Sequence, residues 1–206
     1  MAIYGAVLAT LLSPVLQSSK AKIRYGDYVV FKHFTTGHYL TSLDGHLLNH
    51  VGGSVQQITF GATNPDENSY WVIRSSNGHD PREHDGKEVK VGELIRIYHL
   101  ATNLYLHSHS TASPKSIGAP PGEQQREVTA SAHNNVQDNW TVANKEPYPF
   151  GTKWRFMHSD GAQYLHSHDR AVGVKGRSGT NEVTCCKDKN EDDFWVLLLA
   201  KHLKNF

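Results

Sequence analysis

Three stretches of the chain alternate polar and apolar residues in the same way, each starting at a glycine and ending at a histidine. They span residues 26–33, 92–99 and 151–158. A period of two is typical of a β-strand with one face toward the core. The face that ends on the histidine is predicted to point inward and carries Val29, Phe31 and His33, then Ile95, Ile97 and His99, then Trp154, Phe156 and His158.

Three further strand patterns follow each of these stretches in the same order. The second strand opens on Tyr-Leu, and the third holds a β-branched residue followed by threonine. The fourth opens on tryptophan, after acidic and amide residues that favour a tight turn. These residues are Tyr39-Leu40, Ile58-Thr59 and Trp71, then Tyr105-Leu106, Val128-Thr129 and Trp140, then Tyr164-Leu165, Val183-Thr184 and Trp195.

The sequence therefore predicts twelve strands in three repeats, over about residues 22–75, 88–143 and 148–199. One four-stranded unit cannot bury its leucine and tryptophan alone, whereas three units closing around a pseudo-threefold axis share one core and leave few exposed edges. We predict an all-β fold, a β-trefoil of three four-stranded repeats with pseudo-threefold symmetry, in a single domain over residues 22–206.

The first 21 residues differ from the rest of the chain. Residues 2–16 carry no charge and are almost wholly apolar, and Ser19-Lys20-Ala21 offers a small-x-small cleavage site. This pattern is typical of a secretory signal peptide and is too short to span a bilayer, although no charged segment precedes it. We predict a signal peptide over residues 1–21. The alternative is an N-terminal apolar segment, either a buried helix or a leader.

Charge and cysteine content narrow the function classes. The chain has 21 basic and 20 acidic residues, for a formal net charge of +1. No field of one sign is expected to draw it to nucleic acid or to an anionic membrane. Cys185 and Cys186 are adjacent on a predicted strand, where their side chains point to opposite faces, so we predict free thiols, one inward and one outward.

Histidines supply the candidate binding residues. The inner-face histidines of the three repeats are predicted to be neutral core residues, hydrogen-bonded to a neighbouring strand. The second strands of repeats two and three carry His-Ser-His, where repeat one has Thr41-Ser42-Leu43. The candidate ligand-binding residues are His107, Ser108, His109, His166, Ser167 and His168.

Three roles are considered for the His-Ser-His strands. The repeats need a structural hydrogen-bonding group there, or the imidazole and hydroxyl groups contact a ligand such as a glycan. The third role is metal binding, because imidazoles at i and i+2 share one strand face, but no further ligand follows at a regular spacing. We therefore predict no metal and no cofactor.

Gln124 and Gln125 lie where a loop enters the third strand of repeat two, and they either bind a ligand or cap the turn. The sequence contains no Gly-x-Ser-x-Gly elbow, no phosphate-binding glycine loop and no His-Glu-x-x-His. We assign no catalytic residue and predict a binding protein rather than an enzyme.

Several of these residues resemble the MIR domain, a module shared by protein O-mannosyltransferases, inositol trisphosphate receptors and ryanodine receptors. The resemblance rests on the Leu-His-Ser-His of repeats two and three, on Gln56-Gln57-Ile58-Thr59, and on residues 66–71 and 138–142. It covers roughly residues 22–199. A secretory signal followed by one such trefoil resembles the stromal cell-derived factor 2 group in particular.

The resemblance implies a function in the secretory pathway. The stromal cell-derived factor 2 group comprises small soluble proteins of the endoplasmic reticulum lumen that associate with luminal Hsp70 and Hsp40 chaperones. The luminal MIR domain of the mannosyltransferases is non-catalytic and is thought to contact sugar or acceptor protein. The chain ends in residues 201–206, which are not a KDEL-type tail, so residence in the lumen would depend on a partner or fail altogether.

We therefore expect a monomeric, non-catalytic module of the endoplasmic reticulum lumen, or a secreted one. Its partners would be luminal chaperones or glycoproteins and glycans, in quality control or O-mannosylation. Nucleic-acid binding and stable membrane insertion are not expected. The alternative is a free carbohydrate-binding protein or the accessory domain of a mannosyltransferase-like system.

Overall fold

The computed structural model describes residues 16–17, 22–49, 55–113, 124–144 and 153–200. These ranges contain short 3-10 helices at Glu67–Ser69 (η1), Val136–Asp138 (η2) and Glu191–Asp193 (η3). The strands are β1 (Leu16–Gln17), β2 (Tyr28–His33), β3 (Tyr39–Asn49), β4 (Val55–Ala62), β5 (Trp71–Ser75), β6 (Leu94–His99), β7 (Leu104–Ala112), β8 (Arg126–Ser131), β9 (Asn139–Val142), β10 (Lys153–Trp154), β11 (Phe156–His158), β12 (Tyr164–Ala171), β13 (Asn181–Cys186) and β14 (Trp195–Ala200).

The first and fourth strands of the three predicted repeats close into a barrel. β2 pairs with β5, β5 with β6, β6 with β9 and β9 with β11. β10, which one residue separates from β11, pairs with β14, and β14 pairs with β2. Every one of these pairings is antiparallel. The prediction of an all-β fold is confirmed, and the pairings form a closed, barrel-like sheet.

The second and third strands form three hairpins at one end of this barrel. They are β3 with β4, β7 with β8, and β12 with β13, and each hairpin has a register shift at the same place, just after the serine of its second strand. The third strands β4, β8 and β13 also pair with one another. The hairpins therefore hold together by contact among all three repeats.

All twelve predicted strands are present, with two differences. The first strand of repeat three is interrupted at Arg155, which gives β10 and β11. The middle residue of the outward face is buried in each first strand, as Val30, Arg96 and Arg155. The two arginines are covered because they donate to the chain beside them, from Arg96 Nε to Ser75 O at 2.7 Å and from Arg155 Nη2 to Asn190 O at 2.7 Å.

The three tryptophans of the fourth strands occupy the same place in the core. Each indole Nε1 donates to the carbonyl of the leucine in its own repeat's second strand. These bonds run from Trp71 to Leu40 at 2.9 Å, from Trp140 to Leu106 at 2.9 Å and from Trp195 to Leu165 at 3.0 Å. Each bond joins the start of a fourth strand to a second strand, so the tryptophans position the hairpins against the barrel.

The inner-face histidines are buried, as predicted. Their partners are the carbonyls of the 3-10 helices rather than a neighbouring strand: His33 Nε2 donates to Asp192 O, His99 Nε2 to Asn68 O and His158 Nε2 to Gln137 O, each at 2.8 Å. Burial lowers the pKa of all three, that of His99 to about 4. They are therefore neutral near pH 7.

Cys185 and Cys186 are free, as predicted. Cys185 belongs to the main core and Cys186 is buried as well, although one of the two was predicted to point outward. Of residues 1–21, the structure describes only Leu16–Gln17, which pair with Leu199 and Ala200. The predicted signal peptide otherwise lies outside the described residues and stays a prediction. No helix in the described ranges is both long and apolar enough to cross a membrane.

The tryptophan bonds lead to a stability prediction. Trp140→Phe removes the donor to the buried Leu106 carbonyl, which costs about 1–3 kcal/mol on top of the lost volume. Trp154→Phe removes a similar volume but no hydrogen bond, because Trp154 is buried and its Nε1 has no partner among the described residues. We expect Trp140→Phe to lower the free energy of unfolding in urea more than Trp154→Phe does. Equal losses would contradict a stabilising role for the bond.

Candidate functional site

The His-Ser-His residues lie on β7 and β12, facing the third strands β8 and β13 of the same hairpins. Their side chains are buried except for that of His168, which is 21% exposed. The two serines have equivalent contacts, since Ser108 Oγ donates to Glu127 O and Ser167 Oγ to Glu182 O, both at 2.8 Å. The strands therefore present little of the predicted site to solvent.

The first histidine of each strand is paired with a buried aspartate. His107 Nδ1 donates to Asp138 Oδ1 at 2.8 Å, and His166 Nδ1 donates to Asp193 Oδ1 at 3.0 Å. The second carboxylate oxygen accepts the backbone N–H that opens the 3-10 helix, from Asn135 or from Asn190. Each histidine–aspartate pair therefore joins a hairpin to the turn that precedes the next tryptophan.

The second histidine of each strand lies beside a buried glutamate. His109 Nε2 is 3.7 Å from Glu127 Oε1, and His168 Nε2 is 3.7 Å from Glu182 Oε2. In repeat three the two imidazoles are joined directly, with His168 Nδ1 3.0 Å from His166 Nε2.

Burial shifts the pKa values of His168 and Glu127 in opposite directions. Burial and then the nearby His166 lower the pKa of His168 to about 4. Burial raises the pKa of Glu127 to about 7. His168 is therefore uncharged near neutral pH.

Repeat one has a smaller version of the same connection. Thr41, which stands where the other repeats have histidine, hydrogen-bonds through Oγ1 to Ser69 Oγ at 2.8 Å. Ser69 stands where the other repeats have aspartate, two residues before the tryptophan, and its Oγ accepts from Asp66 N at 3.3 Å. Both residues differ from those of the other two repeats, yet they make the same connection. This pair of positions therefore has a structural role in all three repeats.

This geometry bears on the three roles considered for the His-Ser-His strands. The bonds to Asp138 and Asp193 favour structural hydrogen bonding. Within the described ranges, no group of three or more histidine, cysteine, aspartate or glutamate side chains is arranged to hold a metal ion. Ligand contact stays a prediction, and His168 is the residue with the most exposed side chain for it.

Gln124 and Gln125 do lie at a concave surface. A depression of about 250 Å³, here called the junction pocket, separates repeat two from the turn that leads into β12. It is lined by Ser110, Ala112, Gln124, Gln125, Arg126, Gln163 and Lys187. Gln125 is held in place because its Oε1 accepts from Thr184 Oγ1 at 2.7 Å. The pocket unites the two predicted glutamines but none of the His-Ser-His residues.

Sequence reasoning missed Arg126, Gln163 and Lys187. These residues come from separate parts of repeats two and three, so no spacing relates them. It also missed Asp138 and Asp193, although a signal for these was present. In repeats two and three, which carry His-Ser-His, the residue two positions before the tryptophan is aspartate. In repeat one, which carries Thr-Ser-Leu, it is serine.

A second depression, of about 510 Å³, is lined by Tyr25, His84, Lys87, Glu88, Lys90 and Glu93. The Tyr25 hydroxyl donates to Glu93 Oε2 at 3.1 Å. Acidic and basic residues alternate around it, so its charge favours no ligand of one sign.

The fold and these repeated contacts define a protein class. The family model described as MIR domain matches residues 49–198 of this chain. The chain therefore belongs to the MIR domain family, and the resemblance deduced from the sequence is confirmed.

Relatives of two kinds are similar to this chain. The stromal cell-derived factor 2-like protein of Dictyostelium discoideum is 34% identical over 184 residues, which cover 84% of this chain and 81% of that protein. The crystal structure of the SDF2-like protein from Arabidopsis thaliana is 28% identical with a TM-score of 0.70, and the match covers 86% of this chain and 94% of that one. Dolichyl-phosphate-mannose--protein mannosyltransferase 1 of Saccharomyces cerevisiae is 26% identical over 85% of this chain but only 23% of its own length.

A double-mutant cycle measures the histidine–aspartate pair. His107→Thr with Asp138→Ser installs the pair that repeat one already uses. We expect each single variant to be destabilised, and the double variant to be more stable than the sum of the two losses predicts by about 0.5–3 kcal/mol, because residues in direct contact couple. Urea unfolding of the four proteins gives this coupling energy.

The matched control cycle combines His107→Thr with Asp193→Ser, whose side chains belong to different repeats. Distant sites add to within about 0.5 kcal/mol. A coupling energy in the first cycle no larger than in the control would show that the His107–Asp138 bond does not stabilise the fold.

Stability is expected to depend on pH through the buried histidines. Between its ordinary value of 6.5 and about 4, the unfolded chain binds a proton at His168 that the folded chain does not. The free energy of unfolding therefore falls as the pH falls through this window. We expect His168→Gln to make the decline between pH 7 and pH 5 shallower than it is in the wild type. An unchanged slope in His168→Gln would contradict the lowered pKa.

Proposed function

We propose that this chain is a non-catalytic binding module of the secretory pathway that holds a protein or glycan partner in endoplasmic reticulum quality control or in O-mannosylation. The observation that carries the proposal is the junction pocket, a polar concavity that includes Gln124 and Gln125. Side-chain amides both donate and accept hydrogen bonds, so they suit sugar hydroxyls or the backbone of an extended peptide.

The proposal includes the finer description of the fold as a β-trefoil of three four-stranded repeats. Two observations support it: the barrel is built from the first and fourth strands of each repeat, and the three hairpins have their register shifts at the same place. In such a fold the repeats meet at three similar junctions. A ligand need bind at only some of them.

A non-catalytic role is supported by where the titratable groups lie. The histidine–aspartate pairs of the His-Ser-His strands are buried and hydrogen-bonded, and the described lining of the junction pocket includes neither histidine nor carboxylate. A general acid or base has to come within hydrogen-bonding reach of its substrate.

The proposed compartment is the endoplasmic reticulum lumen, or the exterior after secretion. It is supported by the apolar residues 2–16 and by the similarity to stromal cell-derived factor 2-like proteins. The proposed protein partners are luminal chaperones of the Hsp70 and Hsp40 type. The glycan alternative, a free carbohydrate-binding protein or an accessory domain, is favoured by the match to one part of a much longer mannosyltransferase.

Expression in a secreting eukaryotic host followed by direct binding tests this function. We expect the mature chain to start at Lys22. Immobilised on a sensor surface, it should bind purified luminal Hsp70- or Hsp40-type chaperones, or glycans of an array. The double variant Gln124→Ala/Gln125→Ala should weaken that binding by at least about tenfold, or 1.4 kcal/mol.

Gln137→Ala is the matched control, because it makes the same chemical change outside the junction pocket and should bind as the wild type does. Wild-type protein that binds neither chaperones nor glycans at its highest soluble concentration would overturn the proposed function. Binding that the two pocket glutamines do not affect would separate the function from this pocket.

A further inference from the structure

One residue that lines the junction pocket has a buried polar atom that lacks a partner in the described part of the chain. Gln163 lines the pocket and is only 8% exposed. Its Oε1 has no hydrogen-bond partner among the residues that the structure describes. Buried polar groups are nearly always hydrogen-bonded, so an exception of this kind points to a missing donor.

At the corresponding junction between repeats three and one, the protein itself supplies a hydrogen bond. His38 precedes the tyrosine of its second strand just as Gln163 does, and His38 Nε2 donates to Gly179 O at 3.0 Å. Gly179 corresponds to Gln124, because Thr180 O and Gln125 O accept equivalent bonds from Val172 N and Ser113 N. Within the described ranges, Gln163 Oε1 has no such bond at the other junction, where the pocket lies.

In repeat two the same position is Leu104, which has no polar group. Leucine, histidine and glutamine therefore fill one structural position in the three repeats. The fold does not require a polar side chain there. A buried glutamine that the fold does not need is better explained by a ligand that donates to its Oε1.

The charge of the lining narrows the ligand class. Arg126 and Lys187 are the charged residues of the pocket, and no carboxylate balances them in its described lining. Arg126 Nη1 donates to Asp160 O at 2.8 Å, which leaves other guanidinium N–H groups to bind an anion. Arginine suits carboxylate and phosphate alike because it binds both in bidentate fashion.

We infer that the junction pocket binds an acidic sugar, a polyol of monosaccharide size that carries a carboxylate or a phosphate. Arg126 and Lys187 bind the anionic group, while Gln163 Oε1 and the amides of Gln124 and Gln125 bind hydroxyls. The volume of about 250 Å³ lies just below the ~300 Å³ at which pockets for larger ligands begin. This inference rests on the glycan branch of the proposed function and names the ligand class for it.

Isothermal titration calorimetry with matched sugars tests the ligand class. The full chain is titrated with glucuronate, glucose 6-phosphate and glucose. We expect one or both anionic sugars to bind at least about tenfold more tightly than glucose, a difference of 1.4 kcal/mol. The two anionic sugars distinguish carboxylate from phosphate recognition.

Two variants tie the binding to the pocket. Gln163→Leu installs the residue that repeat two carries at this position, so the fold should tolerate it, and we expect affinity to fall by at least about tenfold. Lys187→Gln should also weaken binding. Lys189→Gln is the matched control, because it removes the same charge two residues away, from an exposed residue that does not line the pocket. Urea unfolding verifies that each variant is folded.

Three outcomes would overturn the inference: no binding of either anionic sugar, equal affinity for glucose, or unchanged affinity in a folded Gln163→Leu variant. These outcomes are distinguishable from failure of the proposed function. A chain that still binds luminal chaperones but no acidic sugar keeps its function as a binding module and loses only this ligand class.

Discussion

The hydrogen bond from each fourth-strand tryptophan to a leucine carbonyl is the contact on which the rest of the structure depends. It holds a hairpin against the barrel in all three repeats at nearly the same length. The inner-face histidines then connect the repeats, because each packs on the tryptophan of the preceding repeat and donates to that repeat's 3-10 helix. The ring contacts are His33 with Trp195, His99 with Trp71 and His158 with Trp140. Tryptophan thus organises each repeat, and histidine closes the ring.

Symmetry is kept where the fold needs it and lost where a ligand is proposed. The second-strand position held by Thr41 or His107 has the same structural role in each repeat. Thr41 makes with Ser69 the connection that His107 makes with Asp138. The position before the second-strand tyrosine is not symmetric, because it is histidine, leucine or glutamine. The His-Ser-His pattern drew attention in the sequence by recurring. The less repetitive glutamines lie at the open junction.

Much of the fold could be predicted because its determinants are local and occur three times. A period of two, the Tyr-Leu pairs and the tryptophans located twelve strands correctly. The burial of Arg96 could not be predicted in this way, since it depends on how a neighbouring strand and loop cover the side chain. The two predicted glutamines lie at the pocket, but Gln163 and Arg126 meet only after repeats two and three pack together. A comparison of the repeats would have revealed the histidine–aspartate pairs, because the two positions change together within the chain.

The pairing of β2 with β14 has a consequence for synthesis of the chain. His33 of β2 pairs with Trp195 of β14, although the two residues lie far apart in the chain. Roughly 160 residues have to be made in between, which takes about 10–30 s at rates of about 5–20 residues per second. During that time one edge of β2 lacks its native neighbour, and such an edge pairs readily with other strands. The ring that gives the finished protein few edges therefore leaves one edge of β2 exposed until β14 is made.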